Sequence, residues 1–171
     1  MAHAQTHTAL HGDATIDIRD ITDWRASIGA GLIAGLVFVM FEMVMVWWFM
    51  DQSPWGPPRM MAAMLLGRDV LPPPADFAMI PVMVAMAIHL PLSALYGLVI
   101  GWMVHRMDMG LALLAGAAFG LIAVYFVNFY LVAPAFFPWF VEARNWISVL
   151  GHVMFGTAAA AAYVGLRKPR A

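Results

Sequence analysis

The chain has 171 residues, of which 63% are hydrophobic and 11% charged, with a formal net charge of −1 at pH 7. Soluble domains hold about half apolar and about a quarter charged residues, so this balance points to the membrane class. There is no cysteine, which excludes disulfides, zinc–thiolate centres, iron–sulfur clusters and thiol nucleophiles, and no basic stripe suits nucleic acid.

Residues 1–26 read as a polar N-terminal tail. It lacks the basic start and short apolar core of a cleavable signal peptide, so none is expected. His3, His7 and His11 recur every four residues and would share one helix face, where a metal could be caught. A plain polar tail explains them as well. Ile18, Ile21 and Trp24 fall at helical spacing, as in a short amphipathic helix lying on the inner membrane surface.

A helix crosses a bilayer core with about 20 apolar residues. Four segments satisfy this: residues 27–50, 79–103, 110–133 and 146–166. The fold class expected is therefore all-α integral membrane. Between the first two spans, the prolines of "PPRMMAAMLLGRDVLPPP" bracket a short interfacial helix that Gly67 would end. Arg19, Arg25, Arg106, Arg167, Lys168 and Arg170 fall on one side of the four spans, and Arg59, Arg68 and Arg144 on the other. This bias predicts both termini in the cytoplasm, with the two longer loops outside. The expected localisation is the bacterial inner membrane.

The chain also reads as two copies of one helical hairpin, residues 27–103 and 104–166, followed by a basic tail at 167–171. Gly31-x-x-x-Gly35 in the first span matches Gly116-x-x-x-Gly120 in the third. Pro54-Trp55 followed by Arg59 matches Pro138-Trp139 followed by Arg144. His89, Ser93, Gly97 and Gly101 step by four along span two, as His152, Gly156 and Ala160 do along span four. Small residues at this spacing let helices approach closely in lipid, here toward the cytoplasmic half.

The polar residues continue the same stripes outward. His89, His152, Glu42 and Asn128 are predicted to face inward at similar depth, about 8–15 Å below the outer helix ends at 1.5 Å rise per residue, with Ser93 one turn further along the His89 stripe. Glu42 would be protonated or paired, most simply with a histidine. Pro91 would kink span two close to His89.

Such intramembrane polar groups suggest function by default. Several readings are open. A satisfied hydrogen-bond network could hold the four helices in register and need no ligand. His89 and His152 could be the axial ligands of haem b, with Arg59 and Arg144 meeting its propionates. His89, His152 and Met86 could hold Cu(I), supported by the stripe Met79, Met83, Met86 and another of Met40, Met43, Trp47 and Met50 among 15 methionines. Glu42, His89 and His152 could also line a small proton-linked transporter. No P-loop, dinucleotide fingerprint, HExxH or nucleophile elbow is present, and no enzyme is expected.

The stretch "FPWFVEARNWISVLGHVMFG", residues 137–156, resembles the end of the YagU-like family of small bacterial inner-membrane proteins, and "AIHLPLSALYG" resembles its earlier histidine-bearing span. The resemblance implies a four-span inner-membrane protein linked with acid resistance in some bacteria. It groups Pro138, Trp139, Gly151 and His152 as a unit and assigns no catalytic residue. The function expected overall is a non-enzymatic accessory subunit of a larger respiratory or other electron-transfer complex. Its partners would be lipid and other membrane subunits.

Overall fold

The computed structural model describes residues 22–167, and within them every regular element is helical. The three tail histidines and Arg19, Lys168 and Arg170 lie outside the described residues, as does most of the amphipathic segment expected before Trp24.

Among the described residues, four helices are long and apolar enough to cross a membrane. The first, α1 (Trp24–Met50), starts earlier than hydropathy alone suggests because Asp23 caps it, accepting from the Ala26 N–H at 3.0 Å. It ends where Asp51 turns left-handed, at φ 51°, and sends its N–H to the Val46 carbonyl. The short helix α2 (Gly56–Leu66) opens on prolines and stops at Gly67, whose φ of 84° suits glycine. The second span, α3 (Met79–Val104), is continuous through Pro91.

The third span, α4 (Met109–Phe136), is not α-helical throughout. It begins as an α-helix capped by Asp108, passes into a π-helix over Gly120–Val132, and closes with one α turn at Ala133–Phe136. A proline removes one N–H and crowds the carbonyl four residues before it. Widening to the i→i+5 register is one way a membrane helix accommodates this, and Pro134 stands immediately after the wide segment. The last span, α5 (Trp146–Leu166), is capped by Asn145, whose side chain accepts from the N–H groups of Ile147 and Ser148.

Around the bundle the order is α3, α1, α5, α4, and the α3–α4 seam is the loosest. Lipid tails are as apolar as leucine, so association in a bilayer depends on close packing and hydrogen bonds. Glycine supplies that packing here. The α-carbon of Gly97 sits against Gly31, leaving no room for a Cβ on either, and Gly156 meets the Gly116 backbone in the same way. Ala30, Ala34, Ile100, Ala112, Ala159, Ala160 and Tyr163 form the dry core at this end. Arg167 closes it by donating to the carbonyls of His105 and Met107.

The opposite end is covered by a lid. Helix α2 lies across α3, and Arg59 folds the following segment over it by donating to the carbonyls of Asp76 and Val70. Trp139 ties the second long loop to this lid through its indole N–H, which donates to the Met60 carbonyl at 3.0 Å.

Candidate functional site

Beneath the lid is a cavity of about 300 Å³ bordered by all four spans. Glu42, His89, Ser93, Asn128 and His152, five residues from four different helices, all line it. The glycine stripes explain why they converge: each polar residue continues the face that is buried lower in its helix.

The contacts differ from a simple meeting of two histidines. His89 donates from Nε2 to the Gly35 carbonyl at 2.9 Å, with Ser93 Oγ 3.4 Å from the same nitrogen. Gly35 allows this approach, since a Cβ there would collide with the Ser93 side chain. His152 donates from Nδ1 to the Ser148 carbonyl at 2.6 Å, which leaves the lone pair of its neutral ring on Nε2. Phe38 stands against both imidazoles, stacked on His89 at 5.7 Å between centroids and edge-on to His152 at 4.7 Å. Tyr125 and Phe129 complete an aromatic wall around His152.

Asn128 bonds elsewhere. Its amide donates to the Tyr96 hydroxyl and to the Val124 carbonyl, both at 2.7 Å, and so joins α4 to α3 across the loose seam. Glu42 is only 6% exposed. Its Oε2 accepts from Ser148 Oγ at 3.5 Å, and no histidine bonds to it. Its Oε1 has no hydrogen-bond partner among the described residues. Gly151 makes room for this carboxyl, because a Cβ there would strike Oε1.

Neither arginine expected near a haem edge presents its guanidinium to the cavity. Arg59 is spent on the lid carbonyls, as above. Arg144 donates from Nε (2.9 Å) and Nη2 (2.5 Å) to the Phe129 carbonyl, with its guanidinium 4.4 Å from the Tyr130 ring centre. The reason lies in the π segment. The Ala133 N–H reaches back to Asn128, and residue 134 is proline. Neither amide that would serve the Phe129 carbonyl in an α or π register is available, and Arg144 takes their place.

The methionine stripes split: Met50 lines the main cavity with both histidines, but the others do not. Met40, Met79 and Met83 lie on outward faces, and Met86 borders a smaller crevice with His89, away from His152. Met60, Met61 and Met64 of α2 face the main cavity instead. Among the described residues, no three His, Asp or Glu side chains come together as a metal site. Sequence reasoning does not single out Phe38, Tyr96 or Ser148. The available signal is spacing, since Phe38 precedes Glu42 by four residues and Ser148 precedes His152 by four. Searches of protein-family models, curated proteins and solved structures find no match to this chain.

Proposed function

We propose that this is a non-enzymatic four-span protein of the bacterial inner membrane that binds a small, largely apolar molecule within its outer half. In this reading the two hairpins are duplicates related by an axis along the membrane normal, and both termini are cytoplasmic. The observation that carries the proposal is the cavity itself. Its walls are mostly apolar, with aromatic and thioether side chains prominent, and carry a minority of polar groups and one buried carboxylate oxygen left unpartnered among the described residues. Binding sites for small molecules have this composition: apolar surface for affinity and sparse polar groups for orientation.

Two features weigh against haem in the same space. Phe38 packs against both imidazoles, and the nearby guanidinium groups are already bonded to backbone carbonyls. The exposed faces of the spans are apolar and suit acyl chains and partner helices alike, so an accessory-subunit role is compatible with this binding reading.

The test is saturable binding. Detergent-purified protein is titrated with benzene-sized compounds of varied charge while its thermal unfolding is followed. At least one should raise the midpoint, and Ala143→Trp, at the cavity wall in the second long loop, should abolish the rise. No shift with any compound would refute a ligand-binding role.

A further inference from the structure

Which molecule the cavity takes can be argued from its charges and hydrogen-bonding capacity, an argument that rests on the binding role just proposed. We propose that the ligand is a lipophilic ammonium ion: a protonated amine on a compact aromatic or branched body, with its N–H groups directed at Glu42 Oε1.

The first support is charge. The described residues lining the cavity include two carboxylates, Glu42 deep in the bundle and Glu142 on the exposed loop, and no lysine or arginine. A cleft lined by one sign of charge concentrates ligands of the other.

The second support is the donor count. The Asn128 amide uses both N–H bonds on Tyr96 and Val124. Ser148 Oγ donates to Glu42, the His89 N–H goes to Gly35, and the His152 N–H goes to the Ser148 carbonyl. What remains on these side chains is acceptor capacity, at Glu42 Oε1, Asn128 Oδ1 and the second ring nitrogen of each histidine in its neutral form, beside two lining hydroxyls, Ser93 and Tyr96, that can still donate. A ligand rich in acceptors, such as a carboxylate or a quinone, would leave these atoms unsatisfied. An ammonium group brings up to three N–H donors to Glu42 Oε1 and its neighbours and balances the charge of the carboxylate.

The third support is the wall. Phe38, Tyr96, Phe129 and Phe155 surround the polar floor. Aromatic faces attract cations, and more strongly where water is scarce. The volume of about 300 Å³ limits the apolar body to a ring with a short chain.

Three probes of one shape separate the possibilities: 2-phenylethylamine, 2-phenylethanol and 3-phenylpropanoate, titrated into the full chain in neutral detergent at pH 7. The amine should bind about tenfold tighter than the alcohol, as expected where a charged hydrogen bond replaces a neutral one. The carboxylate should bind weakest. Glu42→Gln should remove the amine's advantage and leave the alcohol unchanged. Equal binding of amine and alcohol, or a preference for the carboxylate, overturns the ammonium assignment while the binding role stands. An amine preference that survives Glu42→Gln overturns the assignment to Glu42. No binding by any probe removes the ligand-binding role itself. If Glu42→Gln does not fold, modification of wild-type Glu42 by dicyclohexylcarbodiimide makes the same distinction. Protection by the amine but not the alcohol supports the proposal, and equal protection by both refutes it.

Discussion

Replacing Arg144 by methionine keeps the length of the side chain and removes its donors. The Phe129 carbonyl would then have lost Nε and Nη2 with no amide to replace them, because Ala133 N–H serves Asn128 and residue 134 is proline. A buried carbonyl left without a donor costs about 1–3 kcal/mol. Loss of the guanidinium over Tyr130 adds about 0.5–1 kcal/mol at a partly exposed site. Arg144→Met should therefore destabilise the protein by about 1.5–4 kcal/mol, read by titration with sodium dodecyl sulfate from mixed micelles with helix content followed by circular dichroism. The double variant makes the test specific. Pro134→Ala restores an N–H at the position the i→i+5 register requires. In the Arg144→Met background it should recover about half of the loss or more, and in the wild-type background it should gain little, an interaction of the size seen between residues sharing one network. If Pro134→Ala has equal effects in both backgrounds, Arg144 is not substituting for the missing amide and the account of the π segment is wrong.

Gly97→Ala should cost about 1–3 kcal/mol in the same titration, since the added methyl meets Gly31 backbone that cannot move aside, whereas Gly165→Ala, with open space around it, should be neutral. Trp139→Phe removes the bond to the Met60 carbonyl; it should lower stability by about 0.5–1.5 kcal/mol and speed release of any bound amine, measured by stopped-flow displacement. Because the chain has no native cysteine, single cysteines report sidedness directly. A cysteine at Ser53 should react with a membrane-impermeant maleimide added outside spheroplasts, and one at Asp108 only after lysis; the reverse pattern would invert the proposed orientation.

Much of the bundle was legible in the sequence because length and hydropathy constrain spans directly. The starts of α3 and α5 fall where composition places them, and Gly67 ends α2 as its backbone freedom suggests. Shifts occur where local bonding extends a helix beyond its apolar stretch, as at the Asp23 cap and at Pro134. The convergence of Glu42, His89 and His152 on one cavity was also readable, since glycine stripes mark the buried faces. Their partners were not. His89 bonds to a backbone carbonyl that Gly35 exposes, and main-chain acceptors leave no mark in residue type. Phe38 stayed hidden because phenylalanine serves equally toward lipid and toward a core. The π register had only Pro134 as a cue, and a proline alone does not distinguish a widened turn from an α-helix that continues through it, as α3 does at Pro91; Asn128 meets Tyr96 through that wider turn.

The glycine contacts also decide where this bundle can give way. Main chain touches main chain at Gly31–Gly97 and Gly116–Gly156, so neither pair can slide or part there without losing contact along the whole seam. That end behaves like the rivet of a pair of pliers. The other end is held by side-chain bonds instead, among them the indole latch between Trp139 and Met60, the Arg59-braced strap and the bond from Ser53 to the Ala75 carbonyl. A molecule entering from that end passes between these jaws, beside the Trp139 indole and the Arg59-braced strap.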